Sequence, residues 1–404
     1  MDLDTLKNKK IIVYGAGQIG QIAILALREV LEKFEEQVIG CAVTTINNNP
    51  KFLEGIEVHS LEYYKNYDNG VIYLIAAKDM YREQMIRELT VRNITNYQYF
   101  DSKEFVELLE KMWMSQNKER YLEFKENANK VLGNEEYILF LSRQLKQRVL
   151  NFEVNLVEHC NLNCQSCNHF SPLAEKKFLN CEQIELDLKQ INKLLGSNIG
   201  KVMLLGGEPL LHPRLHDLLK IFRGLLPEAS IDVVTNGLLI PKMNKEFWKL
   251  VNNLQIGLSV TKYPINFDYA DCEKIAEKNG VHISYGHLSE AIKTTYHLPL
   301  KDKAEFNPYD MYMKCSHANE CVVLREGMLY TCPLAANVQH YNKYFNKHIP
   351  EGKEVSIDIY KVGSWQEIEE FLKRPNKMCA YCDIYHYTYN IPWAISKRDI
   401  SEWQ

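Results

Sequence analysis

The chain has 404 residues, enough for two or three domains of ~150 residues each. Its 48 Lys plus Arg against 52 Asp plus Glu leave a formal charge of -4, which argues against a dedicated nucleic-acid binder, whose phosphate contacts need a basic excess. With 46% hydrophobic and 25% charged residues the composition is that of an ordinary folded protein rather than a disordered one. Residues 1–10 are charged and lack the apolar core of a secretory signal, and no early apolar run approaches the ~20 residues of a membrane helix. The expectation is a cytoplasmic protein with no membrane partner. In that compartment eleven cysteines read as metal or cluster ligands, not as a disulfide framework.

The chain opens with a strand-like run, Ile11–Tyr14, that leads into Gly15-Ala16-Gly17-Gln18-Ile19-Gly20. Apolar residues at Ile19, Ile22, Ala23, Ala26, Leu27 and Val30 follow at helical spacing. Apolar runs at 38–43 and 71–77 and a helical pattern at 80–89 complete an alternation that predicts a parallel α/β sheet. A G-x-G-x-x-G between strand and helix is the dinucleotide fingerprint, so Gly15, Gly17 and Gly20 are candidates to bring backbone N–H groups to a phosphate. The acid expected at the end of the second strand is missing, since the sequence there reads Val43-Thr44-Thr45-Ile46-Asn47; this disfavours NAD. Residues 10–58 resemble the small Rossmann-like domain found in front of sugar acetyltransferases and other polysaccharide enzymes. The resemblance implies a nucleotide or nucleotide-sugar site, with a purely structural domain as the alternative. We place this domain at 1–111 and a helical linker at 112–149.

A second βα series begins at 152–157, with further strands predicted at 201–205, 231–235, 255–260 and 281–285. Helices fit Cys181–Leu195, with Asn180 and Gln183 as a capping box, and 214–226. Five such repeats suit a full or partial βα barrel, here 150–305. Directly after the first strand stand Cys160, Cys164 and Cys167. Three thiolates on one loop hold three corners of a cubane, or three positions of a zinc ion with His159 or His169 as the fourth ligand. Gly206-Gly207-Glu208-Pro209 follows the second strand, and Thr235-Asn236-Gly237 ends the third, where ligands of α/β sheets sit.

In this order and spacing these motifs resemble the radical S-adenosylmethionine superfamily. The resemblance implies a [4Fe-4S] cluster on Cys160, Cys164 and Cys167, with its open iron chelated by S-adenosyl-L-methionine. It implies further that Gly206, Gly207, Glu208 and Pro209 meet the methionine end, and that Thr235, Asn236 and Ser259 lie near the ribose or carboxylate. The implied chemistry is reductive cleavage to a 5′-deoxyadenosyl radical that abstracts hydrogen, with a reducing partner such as flavodoxin or ferredoxin. One departure is Ser166, where the family usually carries an aromatic residue against adenine; His169 or Phe170 is expected to take over that packing.

The last hundred residues, 306–404, change character. The runs 322–324 and 328–330 flank Arg325-Glu326-Gly327, a hairpin signal, and Ser364 with Glu367 is a second capping box. Cys315, Cys332, Cys379 and Cys382 supply four thiolates for one cluster or one zinc. Their spacing around Gly327 resembles the twitch cap of the same superfamily, a shorter relative of the SPASM domain, which implies one auxiliary [4Fe-4S] cluster. Cys321 is a replacement ligand, a buried thiol or a hydrogen-atom donor; Cys41, Cys181 and Cys272 fall in predicted strands or helices. Lys262, Tyr263, Tyr285 and His287 sit at predicted strand ends as candidate general bases.

The fold expected is thus α/β: a Rossmann-like parallel sheet, a partial (βα)6 radical S-adenosylmethionine barrel and a small α+β iron–sulfur cap. The function expected is dehydrogenation or epimerisation of a sugar, cyclitol or nucleotide-sugar. A peptide maturase, a non-catalytic iron–sulfur or zinc redox protein, and an NAD-dependent oxidoreductase with structural zinc remain as rivals.

Overall fold

The computed structural model describes residues 3–46, 49–67, 70–100, 103–145, 150–196, 198–285 and 294–404. The chain divides into two compact units, Met1–Lys146 and Gln147–Gln404.

In the first unit β1 (Ile11–Tyr14), β2 (Val38–Val43), β3 (Phe52–Leu53), β4 (Ile56–Ser60), β5 (Ile72–Ile75) and β6 (Tyr97–Tyr99) form one sheet in the order β3-β4-β2-β1-β5-β6. All neighbours are parallel except the short β3–β4 pair. The helix Gln18–Val30 buries Ile19, Ile22, Ala23, Ala26 and Leu27, the face its three-and-four spacing dictates. Within the expected linker lie the helices Lys118–Asn127 and Asn134–Leu145. Lys103–Gln116 continues across position 112, and Asn134–Leu145 packs against it and against Gln18–Val30, with Trp113, Tyr121, Phe124 and Phe140 in mutual edge contact.

The second unit is built on β7 (Leu150–Val157), β8 (Ile199–Gly206), β9 (Ser230–Thr235), β10 (Gly257–Val260) and β11 (Ile283–Ser284), all parallel and hydrogen-bonded in sequence. β12 (Thr294–His297) leaves this sheet to pair with the late strand Thr388–Pro392. The hairpin β13 (Val322–Arg325) and β14 (Met328–Tyr330) turns through Glu326 and Gly327, both at positive φ, as the sequence signal demands. β13 also adds to the free edge of β7 in parallel, and β15 (Ser356–Asp358) follows β14, so the full order is β11-β10-β9-β8-β7-β13-β14-β15. The sixth parallel strand beside the βα series therefore comes from the cap and joins at β7.

The helices Cys181–Leu195, Leu215–Leu225, Lys245–Asn253 and Tyr269–Lys278 cover one face of this sheet. Ile184, Leu188, Ile191, Leu218, Leu219, Phe222, Phe247 and Val251 bury there against Val154, Leu204, Val233 and Leu258. Asn180 caps the first helix by accepting from the Gln183 N–H at 2.8 Å, but the Gln183 amide donates to Asp187 rather than completing a box. The predicted box at Ser364 also differs, because the Glu367 carboxylate accepts from the Gly363 N–H and the Ser364 hydroxyl.

The opposite face of β7 is polar, and the helix Pro333–Phe345 lies over it. The Asn155 amide donates to Asn337 at 2.7 Å. At the strand's end the Arg325 guanidinium forks onto both oxygens of Glu158 at 3.0 and 3.1 Å, with His340 at 3.0 Å on the second oxygen. The Glu158 and Arg325 side chains are 9% and 12% exposed, so this bidentate pair is largely desolvated. A second apolar cluster, including Phe170, Val323, Tyr330, Leu334, Tyr341, Met378 and Trp403, fills the cap. Replacing Arg325 by Met strands a buried carboxylate, and urea denaturation is expected to show a loss of about 3 kcal/mol.

Candidate active site

The loop after β7 carries Cys160, Cys164 and Cys167, close enough for each thiol to be felt by the others. Gly206 and Gly207 explain how it is held. Gly206 has φ +115°, and a Cβ there would stand 2.4 Å from the Val157 carbonyl oxygen; one on Gly207 would stand 1.9 Å from that of His159. No side chain fits in either place. The glycine pair therefore lets the end of β8 press on the cysteine loop, with Gly207 N–H donating to Val157 and Glu208 N–H to His159.

Glu208 is wholly buried. Its Oε1 accepts from the Thr235 hydroxyl at 2.7 Å and the Leu210 N–H at 3.0 Å, and its Oε2 from the Asn236 N–H at 3.0 Å. Burial pushes its pKa up even against these donors. Pro209 opens the short turn Pro209–Leu211 behind it. Asn236 in turn donates to Asn161 at 2.7 Å and lies 3.7 Å from the Cys160 sulfur. The candidates Gly206, Gly207, Glu208, Thr235 and Asn236 thus meet at one strand-end network around Cys160, with the Glu208 carboxylate turned inward. Ser259 sits half-buried on β10, in register between Val234 and Ser284.

The sequence reading missed the C-terminal tail. Cys164 bridges Ile395, Gln165 N–H donates to Ala394 and Ser396 N–H to Asn163. The Ser166 hydroxyl, in the position of the family's aromatic, donates to the Glu402 carbonyl at 2.8 Å, and the Trp403 indole donates to the Cys167 carbonyl at 3.1 Å. Phe170, one of the two residues expected to take over that packing, is fully buried against Tyr341 and Trp403. Tyr263 and Trp393 face one another at 5.7 Å beside Cys164. Burial pushes Cys160 up to about 11 and Cys164 up to about 12. Burial also opposes charge on Cys167, yet its neighbour His169 brings it below its ordinary value. His169 itself is pulled up to about 10, with burial opposing the charge and Cys167 and Glu153 favouring it.

Cys315, Cys332, Cys379 and Cys382 line one space of about 370 Å³, part of it open to solvent, walled by Leu298, Met311, Leu334, Met378 and Ile384. Burial holds the Cys332 thiol up at about 12 and pushes Cys379 and Cys382 higher. Among the described residues no three Cys, His, Asp or Glu side chains converge tightly enough for a single metal ion, and no cysteine forms a disulfide. Cys321 stands apart, against the Glu153 carboxylate. Cys41, Cys181 and Cys272 are buried in a strand and two helices.

Lys262 and Tyr285 are both committed to Glu273: the ammonium lies 3.4 Å from its carboxylate and 3.7 Å over the Tyr285 ring, whose hydroxyl donates to the same oxygen. Burial and that carboxylate push the Tyr285 phenol up. His287 lies outside the described residues. In the first unit Gly15 and Gly20 are packing requirements, since added Cβ atoms would stand 2.4 Å from the Ala76 oxygen and 1.8 Å from the Gly15 oxygen; a Cβ on Gly17 meets nothing within 4 Å.

Residues 154–294 match the Radical SAM superfamily. The human molybdenum cofactor biosynthesis protein 1 is 29% identical over 40% of this chain and 24% of its own length. The GTP 3',8-cyclase of Aliarcobacter butzleri is 27% identical over 59% of this chain and 76% of its own length. Several curated relatives are thus matched over less than half their length, as in the 46% of a Helicobacter pylori GTP 3',8-cyclase. Among solved structures, BtrN in complex with AdoMet and 2-DOIA superposes with a TM-score of 0.37 at 16% identity, over 59% of this chain and 94% of that one.

Because residues 393–404 cover Cys164, deleting them is expected to speed its alkylation by maleimide in the native, metal-free protein by about tenfold or more. Mass spectrometry of the labelled peptide measures this. Gly207→Ala is expected to cost on the order of 3 kcal/mol in urea unfolding, since backbone rather than a flexible side chain must move.

Proposed function

Residues 154–294 form a domain of the Radical SAM superfamily, and on that premise we propose that this protein uses S-adenosylmethionine and a [4Fe-4S] cluster to take a hydrogen atom from a small hydroxylated substrate. The reading rests on one observation: Cys160, on the cysteine loop, is joined through Asn236 to the buried Glu208 at the C-terminal strand ends. In this reading Cys160, Cys164 and Cys167 hold the cluster and leave one iron for the sulfonium nucleotide. When bound, the pair supplies one-electron abstraction from an unactivated C–H bond.

The chain's own residues then have defined tasks. Asn236 and Glu208 fix the cysteine loop, while Tyr263, Trp393 and the tail through Trp403 keep water from Cys164 and Cys167. For the adenine contact that the family gives to an aromatic residue, Tyr263 and Trp393 beside Cys164 are the rings assigned, with His169 as the alternative. Cys315, Cys332, Cys379 and Cys382 would hold an auxiliary [4Fe-4S] cluster in a twitch-like cap, which would supply an acceptor for the second electron of a dehydrogenation. A soluble reductant such as flavodoxin or ferredoxin supplies the first electron. A sugar or cyclitol is the leading substrate. The relative in Aliarcobacter butzleri, which matches well beyond the barrel strands, supports a second reading in which the substrate is a purine nucleotide.

Protein reconstituted anaerobically with iron and sulfide, then reduced with dithionite, is expected to release 5′-deoxyadenosine from S-adenosylmethionine. Cys164→Ala should release less than about 1% of that amount, and Cys332→Ser should lower iron per chain by about half. Deuterium appearing in 5′-deoxyadenosine from labelled sugar or from labelled GTP separates the two substrates. Zinc without iron on the Cys160 loop sinks both.

A further inference from the structure

The buried Glu153 of β7 and the partly exposed His169 of the cysteine loop both carry unfilled hydrogen-bonding atoms. Glu153 is 5% exposed and its Oε2 accepts no hydrogen bond; His169 Nε2, 3.9 Å away, has no hydrogen-bond partner either. At that separation the two make a loose ion pair without a direct hydrogen bond, and one oxygen about 2.8 Å from each would bridge them, accepting from the imidazole and donating to the carboxylate. A carboxylate so deeply buried is costly to leave without a donor. The surroundings are a thiol and aromatic rings. The Cys321 thiol lies against Glu153. Tyr296, His317 and Tyr387 form a ring wall with centroids 5.6 to 6.1 Å apart, and Tyr296 accepts from Asn168 at 2.8 Å. Both Tyr296 and His317 feel the Glu153 charge. His169 contacts Cys167 on one side, and Cys321 feels Cys332 on the other, so the pair stands between the two sets of thiolates.

We propose that Glu153 and His169 together grip one hydroxyl of a small cyclic polyol, held against the Tyr296–His317–Tyr387 wall with the Cys321 thiol beside that hydroxyl. A hydroxyl is the group that donates and accepts at once, as this pair requires; an ammonium only donates and a carboxylate only accepts. The ring wall offers the apolar C–H face of a sugar or cyclitol a surface to lie on. This deepens the reading above, on which it rests, by naming the substrate class and the residues that select it.

The test uses the full chain, reconstituted anaerobically in the presence of S-adenosylmethionine, with myo-inositol, glucose and glucosamine as probes and saturation-transfer NMR titrations as the readout. At least one probe is expected to bind wild-type protein, and Glu153→Gln is expected to weaken it by about tenfold or more, with iron per chain as the folding control. Should Glu153→Gln lose iron, Glu153→Asp decides, because it keeps the charge and withdraws it by one methylene; the same weakening is expected. Equal binding by wild type and the iron-replete variant overturns the proposal, as does failure of every probe to bind wild type, including the case in which a lone water bridges the pair. Probe binding that depends on Glu153 in a protein releasing no 5′-deoxyadenosine upholds the pocket and overturns only the radical chemistry.

Discussion

The buried carboxylate of Glu208 is the constraint from which the rest of the second unit follows. A fully desolvated acid at a strand end is tolerable only when donors surround it, and here Thr235, Asn236 and Leu210 supply three. Meeting that demand draws the ends of β8 and β9 together. It also fixes Asn236, whose amide reaches Asn161 and the Cys160 sulfur. The cysteine loop is therefore anchored by hydrogen bonds from protein groups of the neighbouring strand ends.

β7 extends the same logic to the cap. One face gives Phe152, Val154 and Leu156 to the apolar core, while the other carries Glu153 and Asn155, and Glu158 follows the strand. Asn155 and Glu158 are spent on holding the helix Pro333–Phe345 and the hairpin through Asn337, His340 and Arg325. Glu153, earlier on the same face, keeps one carboxylate oxygen without a hydrogen-bond partner, as Asn155 does its amide oxygen.

How much of this was legible follows from the range of each interaction. The strands from β7 to β10, the Asn180 cap and the Glu326–Gly327 turn all rest on local pattern, and the sequence carries them. The tail's grip on the cysteine loop joins Ser166 to Glu402 and Cys167 to Trp403 across 236 positions, and no periodicity encodes such a contact. The addition of β13 to β7 is equally nonlocal. Glu153 did leave a signal. A central parallel strand is normally apolar on both faces, so Phe152-Glu153-Val154-Asn155 is anomalous for the place it occupies. Likewise the G-x-G-x-x-G of the first unit states that glycine is needed without saying why; two of its three positions are accounted for by backbone crowding, and Gly17 alone stays open.

The four cysteines of the cap bear on what could occupy them. A structural zinc would draw the four thiolates to ~2.3 Å of one point, and an iron–sulfur cluster would hold them farther apart. The thiols ring a space of about 370 Å³, part of it open to solvent, with an apolar wall. Burial keeps Cys332, Cys379 and Cys382 far above the ordinary thiol range, so ionising them together in that wall requires positive charge among them. An iron–sulfur cubane, with iron at alternate corners, and a zinc ion both supply it and both accept thiolates from four directions. The apolar lining sets that requirement independently of the barrel loop that carries Cys160.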